Sequence, residues 1–248
     1  ISLAAAGATF PMPFYKMAFK KYSEQTGIPI SYGGIGSGGG IRSLKDKVVD
    51  FGASDAFLSD AEMAKMPAPI VHIPMVSGAV VIAFNLPGIE SIKLTPDLLT
   101  KIFMGKITKW NNPELQKLNP DVKFPHLAIT VVHRSDGSGT TNMFSDYMIK
   151  ISPVWKAQIG TGKSLYWPTG MGAKGNPGVA GTISQSVGTI GYIGSEYAFA
   201  QKISYALLRN KAGNFIKPSI ASVSAAGKGK IPADTRVMLT NSPAPEAY

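Results

Sequence analysis

Three glycine-rich segments, each lying between a strand pattern and a helix pattern, constrain this chain more than any other feature. They are Gly7-Ala8-Thr9-Phe10-Pro11, Gly36-Ser37-Gly38-Gly39-Gly40 and Arg134-Ser135-Asp136-Gly137-Ser138-Gly139-Thr140-Thr141. Each brings hydroxyls and unpaired backbone N–H groups to a helix start, where the macrodipole is positive. One such segment is common. Three in one chain, with Arg134 and Asp136 in the third, point to one oxyanion held from several sides.

The segments sit in an alternating pattern of elements. Ser2 to Ala6 reads as a strand, and residues 12–26 as a helix with Phe14, Tyr15, Ala18, Phe19 and Tyr22 on one face. Gly27 is a natural stop for that helix. Ile28 to Tyr32 is strand-like, a short helix follows over Ile41 to Val48, and Asp50 to Asp55 is a strand with a polar tip. Ile70 to Met75 and Ala79 to Phe84 read as strands. Thr95-Pro96 and Asn112-Pro113 open helices as cap and first residue. Ala128 to His133 is a strand feeding the third segment, and Thr140 to Ile149 is the helix after it. Residues 160–178 read as loop, Val179 to Val187 as helix, Thr189 to Ile193 as strand and Tyr197 to Gln201 as helix. Ile203 to Leu208 reads as strand, Ile220 to Ala226 as helix and Val237 to Thr240 as strand. Strands alternating with helices argue for α/β layers.

At 248 residues the chain can form one large domain or two small lobes, either with a buried core. It has no Cys, which excludes disulfides, thiolate metal sites and a thiol nucleophile. Its formal net charge is +10, but the cations are dispersed and form no basic stripe with interleaved aromatics, so nucleic-acid binding is not indicated. Dispersed positive charge raises the local concentration of anions. No apolar run is long enough to span a membrane.

Several patterns have weaker claims. Gly34-Ile35-Gly36-Ser37-Gly38-Gly39 fits the dinucleotide fingerprint, but in a glycine-rich chain with a short following helix it reads better as an anion loop. Residues 157–164 fit a relaxed phosphate loop, but no strand precedes them and Leu165-Tyr166-Trp167-Pro168 starts a helix poorly. His72, His126 and His133 are isolated among apolar neighbours and have no zinc spacing. Ser138 lacks the nucleophile-elbow context. Asp55, at the polar tip after a strand, reads taken alone equally as a turn or helix cap and as a site residue. Arg134 beside Asp136 reads as an oriented guanidinium fork suited to bidentate oxyanion binding.

The motifs G-A-T-F-P at 7–11, G-I-G-S-G-G-G at 34–40, D-F-G-A-S-D at 50–55 and R-S-D-G-S-G-T at 134–140 run in one order. With them come G-K-I-T-K-W-N at 105–111, Trp167-Pro168-Thr169-Gly170, Gly172 to Gly178, and Ile190-Gly191-Tyr192. In these the chain resembles the phosphate-binding proteins of bacterial high-affinity phosphate ABC transporters, over nearly its whole length. The resemblance implies a type II periplasmic binding protein: two α/β lobes, a hinge and a phosphate in the cleft. Residues 1–77 would be the first lobe's N-terminal part and 78–248 the second lobe. The C-terminal return to the first lobe is expected to be missing, since residues 243–248 resemble the approach to that crossing.

The resemblance further implies that Thr9, Phe10, Ser37 and Asp55 hold phosphate from the first lobe. Arg134, Ser138, Gly139 and Thr140 would hold it from the second, with Asp136 orienting Arg134. It implies no catalysis, cofactor or metal, a membrane permease as partner, and export to the periplasm or cell envelope with a signal sequence removed. An enzyme using the same groups would need a metal cluster or a nucleophile with its base, and neither is visible in the sequence. A carboxylate beside a bound dianion makes sense only if the ligand brings a proton. Phosphate brings one at neutral pH and sulfate does not, so Asp55 would reject sulfate by denying it a donor.

Overall fold

The computed structural model describes residues 1–229 and 231–248. The first sheet is built from β1 (Leu3–Gly7), β2 (Ile30–Gly34) and β3 (Phe51–Ala53), all parallel in the order β2-β1-β3. Parallel strands need crossovers. Here these are α1 (Met12–Thr26) and α2 (Ser37–Lys45). Tyr15 and Phe19 of α1 stack at 4.9 Å, with Tyr32 of β2 at 5.1 Å from Tyr15 and Phe51 of β3 at 5.9 Å from Phe19. Of the face read from the sequence, Tyr15 and Phe19 thus pack onto the strands, while Phe14 and Tyr22 are exposed. A four-residue helix, α3 (Asp60–Met63), carries a capping box between Ser59 and Glu62.

The second sheet has five strands in the order β7-β6-β8-β4-β9. Its members are β4 (Val80–Phe84), β6 (Thr130–Arg134), β7 (Met171–Ala173), β8 (Thr189–Gly194) and β9 (Ser204–Tyr205). Strands β7, β6 and β8 are mutually parallel, and β4 runs antiparallel to β8 and β9. A small third sheet pairs β5 (Lys93–Leu94), β10 (Leu207–Arg209) and β11 (Phe215–Ile216). Helices α4 (Pro96–Phe103), α5 (Pro113–Leu118), α6 (Gly139–Ile151), α7 (Pro153–Gln158), α8 (Gly175–Gln185), α9 (Ser195–Ala200) and α10 (Ile220–Ala226) complete the fold. None of the described helices is long and apolar enough to cross a membrane.

Side-chain alternation splits the core into two layers. Ile82 and Phe84 of β4 point into one cluster with Val131, Ile190 and Tyr192, while Val81 and Ala83 point into the other with Val132, Val179, Ile183 and Ile193. The first cluster is aromatic at its centre. Phe144 of α6 stacks on Tyr192 at 4.5 Å and meets Phe103 at 4.7 Å and Trp155 at 5.9 Å.

Several boundaries differ from the sequence reading. Helix α2 begins at Ser37, not Ile41, so the second glycine segment is itself the first turn of a helix. Gly40 is buried there against the backbone of Ala6 and Gly7, an approach that a Cβ would block. Helix α8 begins at Gly175 rather than Val179. Ile70 to Met75 and Val237 to Thr240 are not strands. Their apolar alternation has no neighbouring ladder to join, and Val71, Ile73 and Met75 face outward.

Replacing Phe144 with Ala should remove the centre of the aromatic cluster and cost about 3–5 kcal/mol of unfolding free energy. Equilibrium denaturation of wild type and variant measures this. A loss below about 1 kcal/mol would mean that the cluster is not the core's keystone.

Candidate anion-binding site

The carboxyl ends of parallel strands from two sheets converge on one cleft. Strands β1, β2 and β3 deliver the loops carrying Thr9, Phe10, Ser37 and Asp55, and β6 delivers Arg134 and the start of α6. Strands β7 and β8 deliver the starts of α8 and α9 to the same place. Open α/β sheets bind ligands at such ends, because the helix N-termini there supply free N–H groups.

Thr9, Ser37, Asp55, Arg134, Asp136, Gly139 and Thr140 are linked to one another across this cleft, Phe10 follows Thr9, and Ser138 caps the helix that starts there. The two sides meet through the hydrogen bond from Gly38 N to Gly137 O at 2.8 Å and that from Thr140 Oγ1 to Asp55 Oδ2 at 3.3 Å. Gly139 lies against Ser37 Oγ and the Asp55 carboxylate, so that a Cβ at this position would collide with both. That contact explains the glycine at the first turn of α6, which would otherwise favour a residue of higher helix propensity.

Hydrogen-bond accounting shows what the cleft offers. Ser138 Oγ accepts from Thr141 N at 2.9 Å as the cap of α6, and Ser37 Oγ accepts from Asp55 N at 3.2 Å. Thr9 Oγ1 accepts from Asn176 N at 3.1 Å and from Asn176 Nδ2 at 2.9 Å. With lone pairs engaged by protein donors, these three hydroxyls are left to donate. Among the described residues, the backbone N–H groups of Phe10, Ser37, Gly139 and Thr140 have no protein acceptor, as expected for a loop aimed at a ligand and for the first residues of α2 and α6.

Arg134 adds the cation. Its side chain is 1% exposed. Nε donates to Asp136 Oδ1 at 2.7 Å, Nη2 to Asp136 Oδ2 at 2.6 Å and Nη1 to Thr140 Oγ1 at 3.2 Å. A guanidinium has five N–H bonds, so one on Nη1 and one on Nη2 remain for another acceptor. Burial pushes the Asp136 carboxyl up, but the bonds from Arg134 and Gly175 N outweigh it and hold it below the usual carboxylate range. Asp136 stays ionised and the pair is neutral as a unit.

Asp55 is the exception in a cleft of donors. Burial pushes its carboxyl up to about 6, against the opposing pull of the Arg134 charge and the Thr140 hydrogen bond. It is therefore still mainly ionised at neutral pH and presents an acceptor. Glu196, at the start of α9, is pushed up to about 8 by burial, and its Oε1 has no hydrogen-bond partner among the described residues. Counting Arg134, Asp136 and Asp55, the side chains nearest the cleft carry a net negative charge. The attraction for an anion must come from N–H and O–H dipoles rather than from cations.

Sequence reasoning missed three contributors. Asn176 is fully buried and reaches Thr9 and Thr140. Tyr197 donates its hydroxyl to Thr9 O. Tyr192 takes the Arg134 N–H at 3.0 Å and pairs with Thr141 Oγ1 at 2.6 Å. Asn176 and Tyr192 lie inside motifs visible in the sequence, yet nothing about an isolated Asn or Tyr announces a role there. No cluster of three or more metal-ligating side chains occurs among the described residues.

A family model described as the PBP superfamily domain matches residues 1–248. The phosphate-binding protein PstS of Haemophilus influenzae is 44% identical over 245 residues, covering 97% of this chain and 73% of that protein. The chain belongs to the PBP superfamily, and within it to the family of the phosphate-binding protein PstS. The PstS of Pasteurella multocida is 44% identical over 227 residues, 91% of this chain, and the chain spans only 65% of that relative's length. A high-affinity periplasmic phosphate-binding protein solved with bound phosphate shares the fold at a TM-score of 0.71 and 22% identity, over 94% of this chain and 69% of that one.

Asp55 gives this PstS-family cleft a stability signature without ligand. Its folded value lies above the ordinary 3.8, so between 3.8 and about 6 the folded form keeps a proton that the unfolded chain releases. The stability contribution is full below that window and is lost as pH rises through about 6. In anion-free buffer, Asp55→Asn should melt higher than wild type at neutral pH, with the advantage shrinking toward the ordinary carboxylate range. A difference in Tm that does not change with pH would contradict the buried, ionised carboxylate.

Proposed function

We propose that this chain binds inorganic phosphate in the cleft and delivers it to the membrane permease of an ABC transporter, without catalysis. The observation that carries the reading is one buried carboxylate, Asp55, that forms no salt bridge among the described residues, inside a cleft that otherwise offers donors. Thr9, Ser37 and Ser138 give hydroxyls, Phe10, Gly139 and Thr140 give N–H groups, and Arg134, oriented by Asp136, gives two further N–H bonds. A tetrahedral oxyanion that keeps one proton satisfies this set: its bare oxygens accept and its P–OH donates to Asp55. The names and ligands of the PstS relatives agree with it.

The same reading divides the chain into a first lobe, 1–77, and a second, 78–248. The separate three- and five-stranded sheets support that division, with their strand ends facing one cleft. Closure of the lobes would bury the anion and present one closed surface to the permease. No cofactor, metal or nucleic acid enters this scheme. Its place is the periplasm or cell envelope, where such receptors meet their permease.

Each charge-assisted hydrogen bond contributes roughly 1.5–3 kcal/mol, and micromolar affinity needs only about 8 kcal/mol net, so the donor set is ample after desolvation. Calorimetric titration with phosphate and sulfate at neutral pH tests the reading. Wild type should bind phosphate tightly and sulfate far more weakly. Asp55→Asn should narrow that preference by roughly 10- to 100-fold, the equivalent of one charged hydrogen bond. Arg134→Ala should weaken phosphate by about 2–5 kcal/mol, as expected when one partner of a buried charge pair is removed. Wild type silent toward phosphate, or unchanged selectivity in Asp55→Asn, would overturn the assignment.

A further inference from the structure

Asn176 occupies a position that the phosphate reading does not use. It is the second residue of α8, is 0% exposed, and has every polar atom of its side chain engaged. Its Oδ1 accepts from Gly194 N at 3.0 Å, which fixes the orientation of the amide. Its two Nδ2 hydrogens go to different sides of the cleft: one to Thr9 Oγ1 at 2.9 Å, the other to Thr140 Oγ1 at 3.1 Å. Its backbone N also donates to Thr9 Oγ1, at 3.1 Å. One amide thus binds a hydroxyl from the loop after β1 and a hydroxyl from the first turn of α6.

A hydroxyl that accepts from a fixed donor must direct its own hydrogen elsewhere. Thr9 Oγ1 accepts twice from Asn176, and its own hydrogen has no protein acceptor among the described residues. Thr140 Oγ1 accepts from Asn176 and from Arg134 Nη1, and its hydrogen points to Asp55 Oδ2. Without the Asn176 amide, Thr9 would lose the side-chain donor that holds its oxygen and would be freer to rotate. The bonds to Thr9 also cross the cleft, so they form only when its two sides are together. Tyr197 adds a third link to the same residue through Thr9 O.

We propose that Asn176 is a positioning residue that turns the Thr9 hydroxyl into an anion donor, holds Thr140 Oγ1 in place against Asp55, and couples both to closure of the cleft. This rests on the reading of the cleft as a phosphate site. The role is specific to an amide: the same side chain must accept from Gly194 N and donate twice. Asparagine does this, whereas aspartate of the same shape can accept but has no hydrogen to give. In Asn176→Asp the ionised carboxylate would draw the Thr9 hydrogen toward itself and away from the ligand, and the Thr140 hydrogen away from Asp55.

The test uses Asn176→Ala, Asn176→Asp, Thr9→Val and the double variant Asn176→Ala/Thr9→Val, titrated with inorganic phosphate by calorimetry and followed by stopped-flow dissociation. Asn176→Ala should weaken phosphate roughly tenfold or more, the equivalent of one hydrogen bond lost from the ligand, mainly through faster dissociation. Asn176→Asp retains the acceptor for Gly194 N and should weaken it further. Because Asn176 acts through Thr9, the double variant should be weaker than Thr9→Val by much less than the factor Asn176→Ala costs alone.

Wild-type phosphate binding with Asn176→Ala and Asn176→Asp within twofold of it would overturn the proposal and leave the phosphate reading standing. Independent, multiplying losses for Asn176→Ala and Thr9→Val would also overturn it, because a merely structural asparagine would give that result. Should Asn176→Ala not fold, Asn176→Asp and Thr9→Val decide alone: Asn176→Asp must lose more affinity than Thr9→Val, and a smaller loss contradicts the role. Wild type that does not bind phosphate overturns the phosphate reading and this proposal with it.

Discussion

The Arg134 guanidinium is buried, and one edge of its fork is filled by Asp136 through bonds at 2.7 and 2.6 Å. A cation so placed is tolerable only when paired and hydrogen-bonded, and much of the cleft is organised around that need. Asp136 Oδ1 also accepts from Gly175 N at 3.0 Å, which anchors the first turn of α8. Asn176 follows Gly175 and reaches Thr9 and Thr140. Tyr192, stacked on Phe144, holds the backbone N–H of Arg134 from below. One ion pair thereby connects the aromatic core, the start of two helices and the loop after β1.

Neutralising Arg134 with Asp136 has a consequence for selectivity. A site built on net positive charge would attract any small anion. Here Asp55 leaves the nearby side chains net negative, so under the proposed function affinity would depend on directed N–H and O–H donors and would fall off for a ligand of the wrong protonation. The chain's formal charge of +10 assists encounter at long range, but it does not make the site. Burial raises the Asp55 carboxyl to about 6, so desolvation brings it close to neutrality and Arg134 keeps it on the ionised side at neutral pH.

The elements that build the cleft are largely legible in the sequence, because glycine, hydroxyl and Arg-Asp spacing are local signals. Thr9, Ser37, Asp55, Arg134, Ser138, Gly139 and Thr140 fall where strands end and helices begin, and the pattern of strands and helices marks those points. What stays hidden depends on contacts distant in sequence. Asn176 meets Thr9 across 167 positions, and no local rule foresees that pairing. The start of α2 at Ser37 escapes the sequence for a related reason: glycines disfavour helix in isolation, but the close approach of Gly40 to β1 selects them. Ile70 to Met75 alternates like a strand but has no neighbour to pair with, so propensity alone misleads.

Calorimetric titration with hydrogen phosphate and with monofluorophosphate at mildly alkaline pH tests the proposed proton donation to Asp55 most directly. Both are then tetrahedral dianions of similar size, and they differ in one group: the P–OH proposed to donate to Asp55 is replaced by P–F, which cannot donate. Monofluorophosphate should bind at least roughly tenfold more weakly, the equivalent of one charged hydrogen bond, because it leaves the carboxylate without a donor. Equal affinities would contradict that donation, since the cleft would then recognise charge and shape rather than the proton.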